Sequence, residues 1–352
     1  MGDSWSGYNN LGLGFSSCMK RAFITGANGF VGSALTNLLL DQGWKVRAGV
    51  RRPGAMNRLG SEAFVEVVVG ELDPKTDWRE ALEGVDTVFH LAARVHHLKE
   101  EKQGAEEIYQ AVNHHGTKAL LDQATRADVS RFVFLSSVKA VGEHSLPGQR
   151  WDANTACRPM DAYGRSKRDA ELAVKAANLD TVILRLPLVF GPEVRGNMLR
   201  LLEAVADNKS LPLGMVKNRR SLIGLGNLVH AIHHVAISPK AINRTLFLSE
   251  AKVFSTPELI RMIGDSLGCR PRLLKVPPVF FHVAGAAGSS FEAILRRSMP
   301  ISRPMVARLL GDLEVDSGPI RDEIGWTPPY SAEEGIQQMT LWFRMMKRSL
   351  EV

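Results

Sequence analysis

Cysteine is scarce in this 352-residue chain: Cys18, Cys157 and Cys269 lie far apart and no two form a CxxC pair. That spacing excludes a disulfide framework and a zinc cluster, and it leaves the thiols reduced. Long apolar runs are missing too. No window reaches the roughly 18 apolar residues of a membrane span. The closest, 276–288, is broken by Pro277, Pro278 and His282 and reads as a buried or interfacial segment. Neither sign of charge dominates, since 44 Lys and Arg against 37 Asp and Glu leave +7. The cations are scattered, without an arginine-rich stripe or interleaved aromatics, so a nucleic-acid partner is not indicated. Residues 1–18 lack the basic start and apolar run of a signal peptide, and Gly2 and Ser6 match an acylation pattern only formally. They read as a disordered tail, with Met19 as an alternative start. A cytoplasmic globular enzyme is the expectation.

What is present is alternation. Short apolar strands near 20–25, 45–50, 65–69, 85–90, 131–136 and 181–186 are separated by amphipathic stretches whose helices start near 29, 78, 104, 161 and 197. This pattern predicts an α/β fold with a doubly wound parallel sheet of the Rossmann type. After Gly191-Pro192 the alternation weakens and prolines at 212, 239, 257, 271, 277, 278, 300 and 304 punctuate shorter elements. The expected division is a tail over 1–18, a nucleotide-binding domain over 19–190 and a smaller α/β substrate lobe over 191–352. A final helix from 332 to 350 places Ile336, Met339, Leu341, Trp342 and Met345 near helical period, so it packs on the body.

Gly26, Gly29 and Gly32 follow the first strand at i, i+3 and i+6 and open a helix. Glycines permit the tight turn and the approach of backbone to a pyrophosphate, whose charge suits a helix N-terminus. Asn28, Phe30 and Val31 fill the same turn and belong to the dinucleotide site. The second strand ends at Val50-Arg51-Arg52 rather than at an acid. An acid would hold a ribose 2′-hydroxyl, whereas Arg51 can pair with a 2′-phosphate, which favours NADP over NAD and leaves both open. Glu71-Leu72, after the third strand, would face the adenine.

Tyr163 and Lys167 are four residues apart in a helical stretch and share a face. A phenol titrates near 10, and a neighbouring cation favours the phenolate. Ser137 ends the fifth strand, where its hydroxyl can hydrogen-bond a substrate oxygen. Ser137, Tyr163 and Lys167 together suit proton movement coupled to hydride transfer.

From about Met19 to Pro328 the chain resembles the extended short-chain dehydrogenase/reductases, specifically the nucleotide-sugar epimerase/dehydratase group. The resemblance rests on Thr25-Gly26-Ala-Asn-Gly29-Phe-Val-Gly32, His90-Leu-Ala-Ala93, Asn113 with Gly116-Thr117, Ser136-Ser137, Tyr163-xxx-Lys167, Arg185-Leu-Pro-Leu-Val-Phe-Gly191-Pro192 and Ile324-Gly-Trp-Thr-Pro328. It implies that Ala92 and Ala93 line the cofactor, that Asn113 beside it braces the catalytic helix, and that the chain forms a homodimer. The stretches Ser136–Glu143, Gly196-Asn-Met-Leu-Arg and Asn218-Arg-Arg-Ser-Leu are similar to bacterial enzymes of surface-polysaccharide synthesis labelled UDP-glucose 4-epimerase-like, which include 4-keto reductases. That similarity implies a UDP-sugar substrate whose diphosphate meets Asn197 and Arg220; an arginine can grip a phosphate bidentately.

Departures narrow the chemistry. The group's Tyr-Gly after the catalytic serine is Val141-Gly142 here, and the acidic pair that sugar dehydratases carry is Val138-Lys139, which argues against dehydration. His230, His233 and His234 share a helix but no carboxylates accompany them, so no metal is expected. His96 and His97 stand near the expected sugar pocket, and Trp326 and Trp342 read as packing residues. The resulting expectation is an oxidoreductase or epimerase acting at C4 of a UDP-linked hexose or N-acetylhexosamine. It leans to a 4-keto reductase, with a UDP-glucose or UDP-N-acetylglucosamine 4-epimerase as the alternative. The presence of both Tyr163 and Lys167 argues against a catalytically idle NADP-binding regulator.

Overall fold

The structure, a computed structural model, describes residues 19–56, 62–95, 104–295 and 303–350. The tail expected over 1–18, Cys18, His96 and His97 lie outside the described residues.

The first half alternates as its pattern requires. Strand β1 (Arg21–Thr25) leads into helix α1 (Phe30–Asp41), followed by β2 (Lys45–Val50), β3 (Phe64–Val68), α2 (Arg79–Leu82) and β4 (Thr87–His90). A continuous helical run comes next: α3 (Ala105–Tyr109), a π-helical segment (Gln110–His115) and α4 (Gly116–Arg126). Then come β5 (Arg131–Ser137), the two-residue β6 (Arg150–Trp151), α5 (Ala162–Ala176), β7 (Asp180–Leu186) and β8 (Leu188–Phe190). The remainder is α6 (Gly196–Ala206), β9 (Leu222–Gly224), α7 (Leu225–Ile237), β10 (Arg244–Phe247), α8 (Thr256–Leu267), α9 (Pro278–Leu295), α10 (Arg303–Leu310), β11 (Glu314–Val315), α11 (Gly318–Asp322) and α12 (Ala332–Leu350).

Seven strands form one parallel sheet in the order β10-β7-β5-β4-β1-β2-β3. Strand order reverses between β1 and β4, so the crevice at their C-terminal ends is where an open α/β sheet takes a ligand. The central strands are buried on both faces, as a parallel sheet covered by helices demands. On one face Leu35 and Leu39 of α1 and Ile232 and Val235 of α7 pack against Ile24 and Val133. On the other, Leu120, Val174 and Trp78 pack against Phe23 and Phe132.

The chain re-enters this sheet after residue 191: β10 adds its edge strand beside β7, and α7 lies along α1. Some prolines of this half start helices instead of interrupting them. Pro257 and Pro319 sit in the first turns of α8 and α11, and Pro278 begins the 18-residue α9. Proline is favoured at a helix start, where its missing N–H has no intrahelical partner to lose. A third core joins α6, α8 and α12 through Leu202, Ile260, Ile263, Met339 and Phe343.

Candidate active site

The glycine turn is built for close approach. Gly26 has φ +67°, and a Cβ on Gly32 would lie 2.1 Å from the Gly26 carbonyl oxygen. Gly29 caps α1 without a side-chain acceptor, so the first N–H groups of the helix face outward unopposed. A pyrophosphate fits this cradle on both counts, charge and room. Asn28 is exposed, and Phe30 and Val31 are half-buried beside it. Ala92 backs the turn, its backbone nitrogen 3.0 Å from where a Gly26 Cβ would stand, and Ala93 is half-buried next to it.

A series of buried hydrogen bonds starts at Thr25. Its Oγ1 accepts from the backbone N–H of Leu91 (3.1 Å) and Ala92 (3.0 Å), so its hydroxyl donates to His90 Nδ1 at 2.7 Å. This makes the imidazole an Nε2–H tautomer, which donates to Thr117 Oγ1 at 2.8 Å; Thr117 donates to the Asn113 carbonyl at 2.6 Å. Burial and the nearby Lys167 charge push His90 down to about 3, so the ring is neutral. Asn113 lies on the π-helical segment and donates through Nδ2 to Ser166 Oγ and the Arg94 carbonyl, both at 3.0 Å. Ser166 in turn donates to the Tyr163 carbonyl at 2.8 Å. Asn113 is thereby tied to α5 through Ser166.

Ser137 ends β5 and Tyr163 and Lys167 lie on α5, so they meet at the C-terminal end of a central strand, where the Ser137 hydroxyl is hydrogen-bonded to the Tyr163 phenol. Burial pushes the Tyr163 phenol up to about 12, against the Ser137 hydroxyl hydrogen-bonded to it, which pulls it down. Burial likewise pushes Lys167 down to about 7, while Glu171 raises it. Burial dominates both groups, and the charges acting on the phenol are those of Asp161 and Tyr109 rather than the lysine pull expected from sequence. The reason is visible in the ammonium's surroundings: Nζ donates to the Leu135 carbonyl at 2.6 Å and sits 4.0 Å from the Phe134 ring centre.

Two ionic clusters grip α5, and each joins residues far apart in sequence. The deeper one centres on Glu171, which accepts from Arg185 Nη2 (2.8 Å) and Nε (3.0 Å), Arg168 (3.0 Å) and Ser136 (2.6 Å). Burial alone would push Glu171 up; these donors outweigh it and hold the carboxyl below its usual range. The shallower cluster lies at the start of the helix. Lys139 meets Asp161 at 2.5 Å and Glu143 at 2.8 Å, and Arg308 of α10 meets Glu143 at 3.0 Å and Asp161 at 3.7 Å. Asp161 also caps α5 by accepting from the Gly164 N–H at 2.7 Å, and the Lys139 N–H donates to Ser137 Oγ at 3.2 Å.

At the adenosine end, Arg51 lies 3.4 Å from Glu71 and both are exposed. Leu72 packs against Gly116 rather than standing free. Asn197 is exposed in the first turn of α6. Arg220 donates through Nη1 to the carbonyls of Arg308 (3.0 Å) and Gly311 (3.2 Å). Burial pushes its guanidinium down, against Glu143 and Asp312. The helical histidines are engaged elsewhere: His230 accepts from the buried Trp326 indole, His233 meets the Trp44 edge, and His234 lies 3.3 Å from the Ile324 carbonyl. Trp342 is half-buried against the third core.

Comparison with known proteins places this geometry. The model of the "NAD dependent epimerase/dehydratase family" matches residues 22–246. A UDP-glucose 4-epimerase of Vibrio cholerae is 32% identical over 325 residues, covering 91% of this chain and 94% of its own. Among solved structures, gox2253 superposes with a TM-score of 0.77 at 22% identity, covering 94% of this chain and 99% of that one. MoeE5, solved with UDP-glucuronic acid and NAD, gives 0.72 at 24% identity, covering 93% and 99%.

Proposed function

This chain belongs to the NAD-dependent epimerase/dehydratase family, and from that premise we propose that it is a 4-epimerase of a UDP-linked hexose or N-acetylhexosamine. The observation that supports the reading is the Ser137 hydroxyl, at the C-terminal end of β5, hydrogen-bonded to Tyr163, with Lys167 one turn further along α5. The Vibrio cholerae relative supports the substrate class and tilts the choice from reductase to epimerase. The second reading, a 4-keto reductase using NADPH, is favoured by Arg51 standing where an acid would bind a ribose hydroxyl. The contact of Arg51 with Glu71 weakens it, since a carboxylate there repels a 2′-phosphate.

When bound, the dinucleotide supplies the acceptor and donor of a hydride. Gly26, Gly29 and Gly32 would hold its pyrophosphate, with Asn28, Phe30, Val31, Ala92 and Ala93 around it. As the phenolate, Tyr163 takes the proton of the sugar C4 hydroxyl, and the phenol so formed returns it. Ser137 hydrogen-bonds the same oxygen and fixes its direction. Lys167, when protonated, draws the phenol towards its anion; at about 7 it titrates where that control matters. Inversion requires the 4-keto sugar to present its other face, so the diphosphate must act as the anchor. Asn197 and Arg220 are assigned to it. The positions where sugar dehydratases carry their acidic pair hold Val138 and Lys139, and Lys139 holds Glu143 and Asp161 in ion pairs, which argues against elimination of a hydroxyl.

The test is to incubate the purified protein with UDP-glucose or UDP-N-acetylglucosamine, without reductant, and identify products by NMR. The expected result is the galacto epimer, with Tyr163→Phe lowering kcat by about 10²–10⁴-fold. Activity that survives Tyr163→Phe sinks the mechanism. NADPH-dependent reduction of a UDP-4-keto-6-deoxy sugar, with no epimer formed, replaces the reading by its reductase alternative.

A further inference from the structure

Helix α9 buries one face and leaves the other bare. Phe281 packs on the third core and Gly285 is buried. Val279, Phe280 and Val283 are 58%, 61% and 64% exposed, and exposed Ala287 continues the line of Val279 and Val283 at helical spacing. Immediately upstream, exposed Leu274 is interleaved with Arg270, Arg272 and Lys275, all exposed. None of these three cationic side chains makes an ion pair among the described residues. The same stretch borders a cavity of about 300 Å³ floored by Leu267, Cys269 and Phe343 and rimmed by Arg344, Lys347 and Arg348 of α12. Asp207 meets Lys347 at 3.9 Å.

Bare aliphatic and aromatic side chains next to uncompensated cations call for a partner with an apolar interior beneath an anionic surface. A second copy of this chain fits poorly, because a two-fold contact would bring the same cations against themselves. A nucleic acid offers the charge without the apolar interior. We infer that this face docks on an anionic lipid bilayer. Helix α9 lies in the interfacial plane with Val279, Phe280 and Val283 at the acyl boundary, and Arg270, Arg272 and Lys275 reach the headgroup phosphates. No described helix is long and apolar enough to span, so the attachment is peripheral and reversible. The inference stands independently of the reaction proposed above.

Flotation of the full chain with vesicles of phosphatidylcholine alone, or with about one-third phosphatidylglycerol, tests it. The protein is expected to float with the anionic vesicles only, and to be released as salt rises towards 1 M. Replacing Phe280 and Val283 together by serine should lower the bound fraction at least tenfold with an unchanged melting temperature. Arg272→Gln and Lys275→Gln should each lower partitioning about fivefold. Should the serine double variant fail to fold, the two charge variants and the salt titration decide. A wild-type protein that does not float overturns the inference. So does a serine variant that floats like wild type, or one that changes only the oligomeric mass seen by light scattering, which would make the face a self-interface.

Discussion

The two ionic clusters on α5 hold the same helix by different physics. At Glu171 the pair with Arg185 is almost wholly removed from water, with 0% and 1% of the two side chains exposed. At Asp161 the members keep between 11% and 31% of their surface in solvent. A dry pair is fixed by the cost of leaving either charge alone, whereas a half-wet pair exchanges protein partners for water at little cost. The dry cluster unites β5, α5 and β7 inside the sheet layer. The wet one reaches from the loop after Ser137 to α10, 165 residues away in sequence. The first is a permanent fastening, and the second is a contact that can open.

The contrast is tested most strongly at the dry end. Arg185→Leu leaves the buried Glu171 charge to Ser136 and the partly exposed Arg168 alone, and should destabilise the fold by about 3–5 kcal/mol in urea melts; a loss below about 1 kcal/mol would erase the distinction. Acid sharpens it next. Because the folded Glu171 carboxyl lies below its ordinary value, its stabilisation is complete above that ordinary value and disappears as pH falls through the lower one. The gap between wild type and Arg185→Leu should therefore narrow from pH 7 to pH 3, and a constant gap would assign the effect to packing. The smallest effect belongs to the wet end. Arg308→Gln should cost no more than about 1 kcal/mol of stability, and that cost should fade at high salt. Its signature lies instead in kcat, lowered on the order of tenfold through the settings of Asp161 and Ser137; unchanged kcat would leave the cluster ornamental to the site.

What could be read from sequence follows from how local each signal is. The glycine turn, strands β1 to β5 and β7, and the Tyr163–Lys167 spacing are written within a few consecutive residues. Strand β10 is four residues long and only Leu246 and Phe247 of it are apolar, too short a run to announce a strand until β7 was seen beside it. The prolines of the second half read as breakers because their sign depends on position: at the first turn they start a helix, inside one they end it. Arg51 read as a free cation because its partner Glu71 lies 20 residues away. Lys139 was legible as a departure from the family, but its role needed Asp161 and Arg308 brought beside it. The expected activation of Tyr163 considered only its neighbour's charge; burial acts on both groups in the opposite direction and is invisible in a spacing.

The hydrogen bonds from Thr25 through His90, Thr117, Asn113 and Ser166 to the Tyr163 carbonyl have a metrological consequence. Thr25 immediately precedes the first cradle glycine, so the interval between the pyrophosphate seat and the phenol is gauged by one unbroken series of short contacts. Tolerances that would accumulate over separately packed layers are instead referred to a single datum. A drift at either end is transmitted to the other, and binding geometry and proton-transfer geometry stay calibrated together.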